Sequence, residues 1–287
     1  MTATAVALPR RFASLVRIEH TVFALPFAYA GAFLAVDGWP GWADMAWITV
    51  AMTGARTLAM ALNRLLDAEL DARNPRTAGR ELPSGALTRV HVVALSVVSV
   101  VAFLVAVSQL DPVVHWLWPI PLVLFVAYPY LKRFTWLCHL WLGACLALAP
   151  VGAWLAVTGE APWEAWVLGG AVLLWVAGFD LFYSLFDLEH DRREGLHSWA
   201  VRFGERGVFA GARVFHAATV ALLALVGWGL GLSIAYWLGV AVVAALLLYE
   251  HALVRPGDLR RLDAAFFTVN GVISIVFCVF VALEVAG

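Results

Sequence analysis

A predominantly apolar stretch of about 20 residues is the length at which a helix spans the hydrocarbon core of a bilayer. This chain has nine such stretches, at residues 18–36, 44–63, 91–109, 113–130, 135–158, 163–186, 208–228, 233–252 and 264–284. Composition agrees: 63% of its 287 residues are hydrophobic, 14% are charged and the mean hydropathy is +0.85, far from an ordinary soluble domain. The expected fold is therefore all-α, a polytopic membrane protein of nine transmembrane helices.

The 19 Lys and Arg set its orientation. Arg10, Arg11 and Arg17 precede the first span; Arg64, Arg73, Arg76, Arg80 and Arg89 follow the second; Lys132 and Arg133 follow the fourth. Arg192, Arg193, Arg202, Arg206 and Arg213 flank the loop after the sixth span, and Arg255, Arg260 and Arg261 the loop after the eighth. The opposite loops carry only acids, among them Asp37, Asp44, Asp111, Glu160 and Glu164. The positive-inside rule then predicts a cytoplasmic N-terminus in the cell (inner) membrane and, with nine spans, an external C-terminus. No cleavable signal is expected, because the first span is too long for a signal h-region. Most loop arginines are accounted for by anionic lipid headgroups.

Two of the basic-side helix ends carry one acid pattern: Asn63-Arg-Leu-Leu-Asp67-Ala-Glu-Leu-Asp71, and Tyr183-Ser-Leu-Phe-Asp187-Leu-Glu-His-Asp191. Aspartates four residues apart share one helix face and repel each other unless a cation lies between them. Oxygen-only ligands, without Cys or a close His pair, favour Mg²⁺, which keeps a few carboxylates and completes its shell with water and substrate phosphates. The predicted ligands are Asp67, Asp71, Asp187 and Asp191. A phosphorylated substrate met at a membrane surface follows.

The motifs lie 120 residues apart, from Asp67 to Asp187, and each closes an even-numbered span. Residues 1–287 are thus read as one domain of two pseudo-repeated four-helix units, about 18–130 and 135–252, with one helix left over. Pseudo-symmetric halves place a binding site at their interface. The two following loops, with Pro75, Gly79, Pro83, Gly85 and Gly195, suit a lid.

Over essentially its whole length the chain resembles the UbiA superfamily of intramembrane prenyltransferases. The matching stretches are Glu19 to Phe27, Asn63 to Gly85, Tyr128-Pro-Tyr-Leu-Lys132 and Asp180 to Ser198. An NxxxDxxxD, a YxxxK and a second DxxxD in this order is a specific combination. The resemblance implies a helical bundle opening sideways to lipid, in which Mg²⁺ grips the diphosphate of a polyprenyl donor. It implies that Asn63, Asp67 and Asp71 form one metal site and Asp187 and Asp191 the other, with Tyr128 and Lys132 on the diphosphate. The chemistry of the residues agrees, since diphosphate leaves only once its charge is neutralised.

Arg56 lies inside a span, seven residues before Asn63 and eleven before Asp67, so the three share a face. A charge there is costly and is read as functional. It either binds an acceptor anion or pairs with a motif acid; the family's pattern puts it, with Arg17, in a basic pocket near the acceptor. Asp180, seven before Asp187, either activates the acceptor or pairs with Arg56. His20, His139, His190 and His197 are read as interfacial bystanders, Ser198 and Asn74 as cap and turn residues, and Asn270 as a helix-to-helix hydrogen bond. Cys138, Cys145 and Cys278 are read as buried hydrophobes, and the tryptophans at span ends as interfacial anchors.

The Arg-Glu-Leu-Pro-Ser-Gly and Asp-Arg-Arg-Glu-Gly-Leu-His-Ser segments resemble bacterial 4-hydroxybenzoate polyprenyltransferases and the prenyltransferase of the futalosine route to menaquinone. Phe186, His190 and the missing Pro after Ser198 depart from that subgroup. The reading leans to a menaquinone-type acceptor, 1,4-dihydroxy-6-naphthoate, with 4-hydroxybenzoate of ubiquinone biosynthesis as the alternative. Expected partners are a polyprenyl diphosphate, an aromatic acid and the bilayer, and no nucleic acid. A CDP-alcohol phosphotransferase lacks its required Asp-Gly and Ala-Arg run here. A carboxylate-based ion or proton transporter would place its acids at mid-span, whereas these lie at span ends.

Overall fold

The structure is a computed structural model that describes residues 11–16, 21–254 and 268–287, with backbone alone for 21–23. Arg17, expected at the acceptor, lies outside the described residues, as do His20, Arg255, Arg260 and Arg261. Residues 11–16 are helical. Twelve further α-helices follow among the described residues: α1 (Thr21–Val36), α2 (Trp42–Leu66), α3 (Ala68–Arg73), α4 (Arg89–Val107), α5 (Val114–Leu117), α6 (Pro119–Leu131), α7 (Cys138–Thr158), α8 (Trp163–Tyr183), α9 (Leu188–Arg193), α10 (Trp199–Gly229), α11 (Ile234–Leu253) and α12 (Asn270–Ala286).

Seven helical segments among the described residues are long and apolar enough to cross a membrane, starting with α2, α4, α5–α6 together, α7, α8, α10 and α11. The shorter apolar helices α1 and α12 stand where the first and ninth spans were expected, next to residues outside the description. The described structure therefore has seven such spans where the sequence leads one to expect nine. The seventh expected span starts earlier than read, at Trp199, because Ser198 caps the helix by accepting from Val201 N at 3.3 Å. Gly204, at φ 66°, kinks that helix five residues on, a conformation that only glycine adopts freely.

The bundle is built around α8, the most buried of the spans, with α7 and α10 on its flanks. Ala165, Leu168, Val172, Trp175, Val176 and Phe179 of α8 all lie in the core. Without a hydrophobic drive inside lipid, such helices associate by close packing of small residues. At Gly143 the fit is so tight that a Cβ would come within 2.2 Å of the Leu173 carbonyl oxygen, so α7 and α8 touch backbone to backbone. Asn270 behaves as expected: it accepts from Trp175 Nε1 at 2.7 Å and donates to Glu250 Oε1 at 3.0 Å, joining α12, α8 and α11.

The acid motifs are not on straight helices. Helix α2 stops at Leu66, Asp67 sits at φ −98°, ψ 5°, and α3 begins at Ala68. The second motif repeats the break: α8 ends in a 3₁₀ turn, Ser184–Asp187, Asp187 sits at φ −100°, ψ 1°, and α9 follows. Both first aspartates thus occupy the sparsely populated bridge region, where many active-site residues sit. The expectation of one continuous helix face per motif is corrected accordingly, because the break re-aims the second acid of each pair.

Candidate active site

The ends of α2, α6 and α8, the start of α7 and the cap of α10 all contribute to the lining of one cavity of about 680 Å³. Asn63, Asp67, Asp71, Tyr128, Lys132, Asp180, Asp187, Asp191 and Arg56 all line it. Below the acids its wall is apolar, with Met52, Phe103, Val107, Phe125, Leu142 and Leu146 among the contributors. Every described residue expected at the site is therefore in one cavity, although the motifs are far apart in the chain.

Three of the four motif acids are already neutralised. Asp67 is buried at 3% exposure and meets Lys132 Nζ at 3.0 Å and Arg133 Nη2 at 3.4 Å. Asp71, also buried, accepts from Arg80 Nη1 at both oxygens, at 2.7 and 2.8 Å. Asp187 is held by Arg76 through two hydrogen bonds, Nε at 2.9 Å and Nη2 closer still, and by Asn74 Nδ2 at 2.9 Å. Asp191 makes no ion pair among the described residues. Burial lowers the Arg76 pKa, but the hydrogen bonds and charge of Asp187 outweigh it, so Arg76 ends above its ordinary value and stays charged.

Asn74, Arg76 and Arg80 come from the loop after the first motif, and Asn74 and Arg76 reach across to the second. The sequence reading accounts for most loop arginines by lipid headgroups, less so for those beside the aspartates, and takes Asn74 as a turn residue. The signal available was their position directly after the acids, within a loop long enough to fold back. Ser198, read as a cap, is one. Arg133, beside Lys132, was also passed over; its guanidinium stacks on the Tyr130 ring at 5.1 Å.

Deeper in the cavity, Arg56 is half-buried and its Nε is enclosed without a hydrogen-bond partner. The Arg56 guanidinium lines the cavity, where it can take an anionic group of a ligand. Tyr128 lines the same cavity as Arg56, Asp180 and Asp67. Asp180 does not pair with Arg56, one of the two roles left open for it. Its Oδ2 is instead 2.7 Å from His139 Nδ1, a hydrogen-bonded histidine that also lines the cavity.

The donor set suits Mg²⁺. It is all oxygen, from carboxylates and one amide, and among the described residues no three acidic, His or Cys side chains converge to hold an ion alone. Mg²⁺ needs no such cage, since it takes one or two carboxylates and fills its octahedron with water and phosphate.

Comparison with known proteins settles the class of this site. The UbiA prenyltransferase family matches residues 24–272. The chain belongs to that family. It is 29% identical over 272 residues to the 4-hydroxybenzoate octaprenyltransferase of Vibrio campbellii, covering 95% of this chain and 93% of that one. The protein of the same name from Methylobacillus flagellatus is 34% identical over 241 residues, 84% and 81% of the two chains. Among solved structures, an apo UbiA homologue from Aeropyrum pernix K1 superposes with a TM-score of 0.85 at 32% identity, covering 93% of this chain and 98% of that one. A UbiA homologue from Archaeoglobus fulgidus bound to GPP and Mg²⁺ shares the fold at a TM-score of 0.78 and 15% identity, covering 96% and 100%. This UbiA-family chain is thus a membrane-embedded prenyltransferase, an enzyme that transfers alkyl groups.

Proposed function

We propose that this enzyme transfers the prenyl group of a polyprenyl diphosphate to an aromatic hydroxy acid, with Mg²⁺ bound by the two acid motifs. The observation that carries the reading is that one cavity is lined by the four motif acids, Lys132, Arg56 and a long run of apolar side chains. Asn63, Asp67 and Asp71 would hold one ion, and Asp187 and Asp191 the other. Bound there, Mg²⁺ supplies the positive charge that lets diphosphate leave.

The chain's own residues do the rest. Lys132 stands among the acids and bears on the diphosphate, as do Arg76, Arg80 and Arg133 once released from the carboxylates they now neutralise. Tyr128 lines the same cavity as this cluster and Arg56. The apolar wall holds the prenyl chain and keeps water from the allylic carbon while its bond to oxygen breaks. Arg56 takes the acceptor's carboxylate, with Arg17 as the expected second cation, and Asp180 acts on the acceptor's hydroxyl.

The relatives' names weigh for 4-hydroxybenzoate as the acceptor. The loop segments shared with the futalosine-route enzymes keep 1,4-dihydroxy-6-naphthoate as the second reading, and both acids offer Arg56 a carboxylate. Purified enzyme given Mg²⁺, a long-chain prenyl diphosphate and each acid in parallel decides by product mass. Formation of neither product sinks the proposal. The one-sided basic loops further support a nine-span chain in the cell membrane, assembled from the two expected half-units, with its site toward the cytoplasm. Cysteines placed at the exposed Ala72 and Arg193 should then be labelled only from the cytoplasmic side.

A further inference from the structure

His139 opens the first turn of α7, is 6% exposed, and stands between two elements distant in sequence. Its Nδ1 is 2.7 Å from Asp180 Oδ2 on α8, and its Nε2 is 3.3 Å from the backbone N of Trp199, first residue of α10. A backbone N–H only donates, so Nε2 must accept. The proton of the neutral ring then sits on Nδ1 and is donated to Asp180, which accepts as a carboxylate. The Trp199 N–H is one of the orphan donors at a helix start, so the ring's orientation is set by the α10 backbone. The Asp180 carboxylate has no other hydrogen-bond partner among the described residues, and this side chain, 15% exposed, lines the cavity.

We propose that His139 is a positioning residue: it ties one oxygen of Asp180 to the frame formed by α7 and α10, leaving the other oxygen to accept the hydroxyl proton of the aromatic acceptor. This rests on the hydroxy-acid reading above. As the donor's carbon–oxygen bond breaks, its electron pair stays with diphosphate. The ring carbon beside the hydroxyl forms the new carbon–carbon bond while Asp180 takes the hydroxyl proton. The hydrogen on the attacked ring carbon then leaves to water, and Asp180 returns its proton to the oxygen, so one proton is released per transfer. A carboxylate held in this way keeps its orientation through the cycle, which is what a histidine locked at both nitrogens provides and a solvated carboxylate lacks.

Two replacements separate the two bonds. In His139→Asn the amide nitrogen can stand where Nδ1 stands and keep the bond to Asp180. In His139→Gln the amide reaches the place of Nε2, keeps the contact to Trp199 and loses the bond to Asp180. Steady-state kinetics of both, with melting temperatures, should show His139→Gln folded but about 10- to 100-fold lower in kcat, with the prenyl diphosphate KM unchanged, since a general base contributes roughly 10²- to 10⁴-fold and only its orientation is lost. His139→Asn should recover most of the rate. The ratio of wild-type to His139→Gln kcat should shrink with 3-fluoro-4-hydroxybenzoate, whose more acidic hydroxyl needs the base less. A His139→Gln enzyme as fast as wild type, an Asn variant no better than Gln, or a ratio unmoved by the fluoro acid would each overturn the proposal. A wild-type enzyme that prenylates no hydroxyaromatic acid would instead overturn the acceptor reading on which it stands, and the proposal with it.

Discussion

The two acid motifs share a backbone and differ in their surroundings. Both break their helix at the first aspartate, with φ and ψ within a few degrees of each other. Asp67 and Asp71 are nevertheless buried, with three cations from Lys132, Arg133 and Arg80 on them. Asp187 and Asp191 are only half-buried, and the arginine on Asp187 is lent by the first motif's loop. Equal backbones thus carry unequal surroundings, with the first motif's acids in the more buried ion-pair cluster. Loss of a partner from a buried pair strands a charge, whereas loss at a half-solvated site strands little.

Removal of metal should break both regions at once. EDTA is expected to abolish transfer, and Mg²⁺ to restore it in a product assay; activity surviving complete chelation would end the metal reading for both motifs.

Single substitutions sharpen the difference. Asp67→Asn and Asp191→Asn should each reduce kcat by about 10²- to 10³-fold, near 3–4 kcal/mol of lost charge stabilisation in the transition state. Calorimetry should part them: Asp67→Asn should melt lower, because Lys132 and Arg133 lose their carboxylate, while Asp191→Asn, with no ion pair to lose, should melt like wild type. Equal melting of the two would show that the buried cluster contributes nothing to stability.

A smaller effect is expected where only the acceptor is gripped. Arg56→Ala should raise the acceptor KM by roughly 10- to 150-fold, the 1.5–3 kcal/mol of a charge-assisted hydrogen bond, and leave the prenyl diphosphate KM in place. A variant that loses donor binding instead would move Arg56 to the diphosphate region.

The weakest link between the regions is Arg73–Glu194, 3.1 Å apart with the arginine side chain 58% exposed. Water screens such a pair to about 0.2–1 kcal/mol, so Arg73→Ala should change kcat/KM by less than about fivefold, as initial rates can show. A larger loss would mean that the two loops act as one lid.

Much of this was legible from residue order. Arg56, Asn63 and Asp67 fall on one face because 3.6-residue periodicity holds along α2, and the structure does bring all three to the cavity. Asn270 was legible because an amide inside a span must find a partner. Arg76 was legible only in part: its place directly after the acids set it apart from other loop arginines, but nothing local shows that it folds back onto Asp187. The His139 contact was not legible either, because its partner Asp180 is 41 residues away, on a different helix.

By itself the sequence determined the bilayer-length helices, the side on which the basic residues lie and the pairing of two acid motifs at helix ends. These follow from length, period and charge, which act over a few turns of chain. Tertiary structure alone decided that each motif bends at its first aspartate, that Arg76 crosses to the second motif, and that Asp180 answers to His139 rather than to Arg56. Those choices depend on how closely α7, α8 and α10 approach one another. That approach is set at backbone contacts such as Gly143 against Leu173, and no local pattern of residues encodes which side chains it brings face to face.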